Sequence, residues 1–160
     1  MTDESARVTM RRRFARTAYV FWQLTWGLPQ SCLGFIVWCV YVRSPHAVYR
    51  GAVVTYWPKR GAVSLGMFLF RPRPAYIDPA SPVSANELEK SRKLHAHEYG
   101  HSIQSLFFGP LYLLLIGIPS LAWAGFPLLS RQWRYGKRDY YSFFTERLAD
   151  YLATLFPQRD

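Results

Sequence analysis

Cysteine is scarce: Cys32 and Cys39 alone cannot staple 160 residues into a secreted disulfide scaffold. Acidic residues are also few, 10 Asp+Glu against 20 Lys+Arg, which leaves a formal charge of +10. Internal repeats and low-complexity tracts are missing. No small-x-small cleavage site follows the first apolar run, which argues for a retained anchor over a cleaved signal peptide. Aromatic residues, in contrast, are abundant. The 6 Trp, 11 Tyr and 11 Phe far exceed what an unfolded polar segment carries. A basic chain that is half apolar is either a nucleic-acid binder or a protein in or on an anionic membrane.

The distribution separates these alternatives. Arg7, Arg11, Arg12, Arg13 and Arg16 make residues 1–17 a basic N-terminus that runs into the uncharged stretch 18–42. That stretch is long enough for a helix to cross about 30 Å of hydrocarbon, although Gly27-Leu-Pro29 predicts a kink or a short helical hairpin within it. A second uncharged run, 111–129, is interrupted by Gly117-Ile-Pro119 and Gly125-Phe-Pro127. A domain this small rarely buries such elements all round, so both runs read as membrane segments. Nucleic-acid binding would need the basic residues on one face of a soluble fold, whereas here they flank the apolar runs.

Between the runs the chain changes character. Ala47–Trp57 and Ala62–Phe70 are rich in Val, Tyr, Thr and Phe and flank Pro58-Lys-Arg-Gly61, which predicts a β-hairpin over 47–70. Residues 71–83 carry four prolines and form an irregular connection. Ser84-Ala-Asn-Glu87 fits a capping box opening a helix over 84–108, stopped by Gly109-Pro110. Residues 131–138 are a basic loop, and a last helix fits 139–156, from a cap at Asp139 to Pro157. The expected fold is a single-domain α+β membrane protein: apolar helices or helical hairpins, a small β-hairpin, and two polar helices packed together.

The helix over 84–108 carries the chemistry. His97-Glu98-Tyr99-Gly100-His101 matches HExxH, in which the i and i+4 imidazoles share one helix face and reach one metal ion. Glu98, one step round, can then act on water without occupying a coordination position. Catalytic zinc needs a third protein ligand and an open position. Downstream, Glu146 and Asp150 are again i and i+4. Glu146 suits ligation, Asp150 suits the far N–H of a ligand histidine, and the small Ala149 allows the two helices close approach. His95 lies on another face of the helix and reads as a surface residue. Cys32 and Cys39 share a helical stripe and read as packing residues too far apart for a disulfide.

HExxH followed by Glu146-x-x-Ala-Asp150 resembles the gluzincin metalloprotease pattern. Its ExxAD form is similar to that of the membrane-embedded prenyl-protein (CAAX) endopeptidases and their bacterial heat-shock relatives. The HEYGH and GPLYLL strings also resemble a group of small bacterial membrane proteins. The likeness covers residues 84–156. It implies one zinc ion held by His97, His101 and Glu146, with Asp150 behind them. It further implies hydrolysis of a peptide or protein substrate, in which Glu98 takes the proton of the attacking water and returns it to the leaving amine. Tyr140, Tyr141 and Arg147, near Glu146 in sequence, are the candidate oxyanion donors.

Topology constrains this reading, because the second apolar run separates His101 from Glu146. Either that run is a shallow re-entrant hairpin bent at Gly117-Ile-Pro119, or the last helix climbs back toward the membrane. Basic residues dominate all three polar stretches, which under the positive-inside tendency assigns the site to the cytoplasmic side of a bacterial cell membrane. A different class is a non-catalytic membrane binding or immunity module with a vestigial or structural zinc site. The sequence leaves the oligomeric state open.

Overall fold

The structure, a computed structural model, describes residues 3–59, 61–72, 84–125 and 143–155. The basic N-terminus is itself helical. Helix α1, Asp3–Thr25, carries its exposed arginines directly into the first apolar run, and α2, Leu28–Val40, follows after a break. Gly27 N–H donates to the Trp22 carbonyl at 2.9 Å, a wide turn that ends α1. Pro29 then falls in the first turn of α2, where a missing N–H costs nothing. The stretch 18–42 is therefore two helices and not one crossing segment. Among the described residues no single helix is long and apolar enough to cross a membrane; one pair, Ala85–Leu111 with Leu113–Trp123, passes on length and composition but is bent by 119°. Cys32 and Cys39 are free and exposed on α2, so the expectation that they pack against a neighbour does not hold.

The single hairpin expected over 47–70 is instead a four-stranded sheet of order β1-β2-β4-β3. Its strands are β1 (His46–Tyr49), β2 (Ala52–Trp57), β3 (Val63–Leu65) and β4 (Phe68–Pro72). Two tight turns set the register. One has Arg50 at φ 52° and Gly51 at φ 100°; the other begins at Gly66 with φ 60°. Two-residue turns of this left-handed kind match the twist of the strands they join and outcompete the longer Pro58–Gly61 stretch as hairpin loops. The chain instead leaves β2 at Trp57 and returns to the sheet at Val63, in the edge strand β3. As a result β2 and β4 run parallel, with Val54 opposite Leu69. A Cβ at Gly66 would stand 2.2 Å from Ser31 Oγ, so this turn also sets how closely α2 approaches the sheet.

Helix α3, Ala85–Phe108, begins as the capping box predicts. Ser84 Oγ accepts from Glu87 N–H at 3.2 Å, and the Glu87 carboxylate accepts from Ser84 N–H at 3.2 Å. Gly109 ends the helix, followed by a 3-10 turn, Gly109–Leu111, and a π-helical turn, Leu113–Gly117. The chain then enters α4, Ile118–Gly125. The bend in this part of the chain lies at Tyr112 and not at Gly117-Ile-Pro119, because Pro119 sits in the first turn of α4, where it fits. Helix α5, Phe144–Leu155, occupies the third-ligand segment. Asp139, Pro157, the 131–138 loop and the second apolar run beyond Gly125 lie outside the described residues.

The core forms where one sheet face meets α1, α3 and α5: Ala52, Val54 and Leu69 pack with Tyr19, Tyr99, Ile103 and Leu152. On the other face Phe35 of α2 meets Phe68. The result, among the described residues, is a mixed α+β fold of five α-helices and one small sheet. Helices α3 and α5 touch at backbone distance, since a Cβ built on Gly100 would stand 2.1 Å from the Ala149 carbonyl oxygen. Ala149 is fully buried, as its small size suggests. Gly100→Ala is therefore expected to force the helices apart, lowering stability by about 1–3 kcal/mol. Gly61→Ala, which meets nothing within 4 Å, is expected to change little. Thermal unfolding of the two variants tests this, and equal melting temperatures would refute the close packing.

Candidate metal centre

The close approach of α3 and α5 brings three buried side chains to one point. His97 and His101 project from one face of α3 and Glu146 from the first turn of α5; one ligand atom of each lies within 4.8 Å of the other two. His97 Nε2 is 3.2 Å and His101 Nε2 3.3 Å from the same Glu146 oxygen, Oε2. Donor atoms about 2.0–2.2 Å from a tetrahedral zinc ion stand roughly 3.3–3.6 Å apart. A charge-assisted N–H···O bond would be shorter, near 2.7–2.9 Å. The separations therefore fit the edges of a metal polyhedron better than direct ion pairs.

The second partners of the histidines fix which nitrogen points inward. Asp150 Oδ1 is 2.7 Å from His97 Nδ1. A carboxylate only accepts, so Nδ1 carries the hydrogen. Gln104 donates its amide N–H to the Thr145 carbonyl at 2.7 Å. This leaves the Gln104 amide oxygen, 2.7 Å from His101 Nδ1, as an acceptor. In the neutral tautomers both Nε2 lone pairs then face the Glu146 carboxylate, an arrangement that is repulsive unless positive charge lies between them. The other Glu146 oxygen, Oε1, accepts from Ser120 at 2.9 Å and from Thr145 at 3.3 Å. The buried cluster can thus hold a metal ion with three protein ligands.

The titration behaviour of the metal-free protein has the same origin. Burial lowers the His97 pKa, but hydrogen bonding to Glu146, the Glu98 charge and Asp150 together outweigh it and push the value up to about 9. Burial alone would raise Glu146, yet the bonds from His101 and His97 hold it well below the usual carboxylate range. Glu98 is raised, with burial dominating the opposing pull of His101, His97 and Ser64. It is 5% exposed, and the Ser64 hydroxyl contacts both its main-chain carbonyl oxygen, at 2.6 Å, and its carboxylate, at 3.1 Å.

The structure brings together His97, His101, Glu146, Asp150 and Glu98. Of the candidate oxyanion donors, Arg147 is exposed on α5, while Tyr140 and Tyr141 lie outside the described residues. His95 departs from the surface role expected of it. It is half-buried against Tyr49, with ring centroids 4.3 Å apart, and burial, aided by the Arg71 charge, lowers its pKa to about 4. Ser64, Gln104, Tyr112, Ser120 and Thr145 were not legible as site residues. Only Gln104, i+3 from His101 on the same helix, and Thr145, beside Glu146, carried a positional hint.

The sign of the pH dependence follows. A His97 pKa raised in the folded state gives stability that is fully present below the unfolded value of 6.5 and lost as pH rises through about 9. Binding a metal must also displace that proton, so metal affinity rises with pH over the same window. Thermal unfolding in excess chelator is expected to show falling stability from pH 6.5 to 9, and added zinc is expected to offset the loss. A zinc dissociation constant that does not tighten between pH 6 and 9 would contradict the assignment. No family model, curated protein or solved structure matches this chain, so the reading of the site rests on its own geometry.

Proposed function

We propose that the protein is a membrane-associated, zinc-dependent metalloendopeptidase of the gluzincin type. The observation that carries this reading is the convergence of His97, His101 and Glu146, with their outer nitrogens held by Asp150 and Gln104 and with Glu98 buried beside them. Among the described residues the cluster offers three protein ligands, which is the catalytic pattern, whereas structural zinc sites are closed by four. That difference favours an enzyme over a module with a structural or vestigial zinc site. A zinc ion held there supplies Lewis acidity toward a water and a peptide carbonyl. Glu98 is the base that takes the proton of the attacking water and returns it to the leaving amine, and its raised pKa suits both tasks.

Association with the bilayer rests on an inverted distribution of polarity. Gln23, Gln30, Ser31, Ser102 and Ser105 are buried, while Phe21, Trp22, Trp26, Leu33, Phe35, Ile36, Phe107, Leu114, Ile118 and Leu121 are exposed. Polar side chains hydrogen-bonding between helices whose outer faces are apolar suit a lipid surround. The α1 arginines extend from this apolar surface and favour anionic headgroups. The positive-inside tendency supports a site facing the cytoplasm of a bacterial cell.

Glu98→Gln is expected to keep zinc and lose turnover of fluorescein-labelled casein by at least 100-fold, whereas Glu146→Ala loses the metal itself. Equal zinc content in wild type and Glu146→Ala would remove the basis of the proposal. Co-sedimentation with vesicles tests the membrane arm. Binding is expected to be stronger for phosphatidylglycerol than for phosphatidylcholine vesicles, to weaken with salt, and to fall when the α1 arginines become Gln. No binding to either vesicle would overturn that arm.

A further inference from the structure

The two oxygens of Glu146 face different helices. Oε2 stands 3.2 Å from His97 Nε2 and 3.3 Å from His101 Nε2, on the side of α3. Oε1 lies against α4, where the Ser120 hydroxyl donates to it at 2.9 Å. The Thr145 hydroxyl stands beside that contact, 2.7 Å from Ser120 Oγ and 3.3 Å from Oε1. Thr145 and Glu146 are fully buried, so the carboxylate depends on protein partners and not on water. Ser120 itself interrupts the apolar sequence Ile118-Pro119-Ser120-Leu121, where a hydroxyl serves no packing purpose.

Two hydroxyls carry two hydrogens for these three contacts. Ser120 gives its hydrogen to Oε1. The Thr145 hydrogen lies between Oε1 and Ser120 Oγ in a three-centre bond, which makes Ser120 a stronger donor in turn. Thr145 is held in place from α3, because Gln104 donates to its carbonyl oxygen at 2.7 Å. Oε1 is therefore drawn toward α4, and Oε2 is the oxygen turned to the imidazoles. A carboxylate binds a metal through one oxygen or through both, and the difference is one coordination position. We propose that Ser120 is a positioning residue that keeps Oε1 off the ion, so that Glu146 supplies a single donor atom and the position needed by the reactants stays open. This rests on the zinc-binding part of the reading above. It also gives α4, a helix whose Ile118 and Leu121 are exposed, a direct hold on the metal site.

The test uses the full chain in detergent micelles, loaded with cobalt(II) in place of zinc. The visible absorption of each bound cobalt ion weakens as donor atoms are added around it. Ser120→Ala, which adds no volume, is expected to release Oε1 toward the metal and to lose absorption intensity relative to wild type. Ser120→Thr keeps the hydroxyl and is expected to keep the wild-type spectrum, whereas Ser120→Val, of the same shape without the hydroxyl, is expected to follow Ser120→Ala. A wild-type spectrum in Ser120→Ala, or a Ser120→Thr spectrum equal to that of Ser120→Val, would overturn the role of Ser120 alone. So would a fall in melting temperature or zinc affinity in Ser120→Ala with no spectral change, since general support of the fold would explain it. A wild-type chain that binds neither zinc nor cobalt would overturn the metal reading, and this inference with it.

Discussion

The structure depends on a carboxylate with no access to water. Glu146 is fully buried, and an isolated buried charge is so unfavourable that proteins protonate it, pair it or bind it to a metal. Here it is paired on every side. One oxygen meets the two α3 imidazoles and the other takes hydrogen bonds from Ser120 of α4 and Thr145 of α5. Three helices are therefore fixed by a single charge, and any of them moving away would leave it uncompensated. The contact of Gly100 with the Ala149 carbonyl is the steric side of the same requirement, because a bulkier pair would hold α5 too far from α3 for Glu146 to reach. The site and the fold are in this sense one structure.

The rear of α3 shows a related arrangement. Gln23 donates to the Ser102 carbonyl and the Ser105 hydroxyl, both at 2.8 Å, and Ser31 donates to the Gln23 carbonyl at 2.9 Å. Tyr19 hydrogen-bonds Ser102, whose hydroxyl also contacts the Gly66 carbonyl at 2.7 Å. Ser102 follows His101 directly, so the α1–α2 pair is locked to the helix bearing the ligands by polar contacts. In water such a network would be an unusual way to join helices that leave large apolar side chains outside. The proposed bilayer setting would account for it, since helix association in lipid depends on hydrogen bonds and close packing and gains nothing from hiding apolar surface.

Much of the site was legible because its constraints are local. The i, i+4 spacing of His97 and His101, the same spacing of Glu146 and Asp150, and the small Ala149 each follow from the geometry of one helix. Only the meeting of the two helices had to be inferred. The capping box at Ser84 was readable for the same reason. The sheet was not, because its register is decided by turns at Arg50-Gly51 and Gly66, which compete with the more conspicuous Pro58–Gly61. Ser64 and Ser120 were invisible, since their roles arise from contacts with Glu98 and Glu146 more than twenty residues away. The burial of His95 came from the sheet, through Tyr49, and no helix-face argument could supply it.

The hardest constraint in the sequence was that an apolar run separates His101 from Glu146. A straight crossing of a bilayer would have carried Glu146 away from the histidines. The bend of 119° at Tyr112 removes the conflict, because α4 turns back and its Ser120 reaches Glu146 at 2.9 Å. The turn is held in place from α2, where Gln30 donates to the Gly109 carbonyl at 3.1 Å. The Trp26 indole also lies against Gly109, where a Cβ would meet it at 2.2 Å. The two apolar runs are therefore broken at the same place, each supporting the break in the other. A membrane segment that folds back on itself needs its freed backbone groups satisfied by protein. The contact between Gln30 and Gly109 supplies one such partner, so the interruption that brings Glu146 back to His97 and His101 also meets what the proposed lipid surround would require.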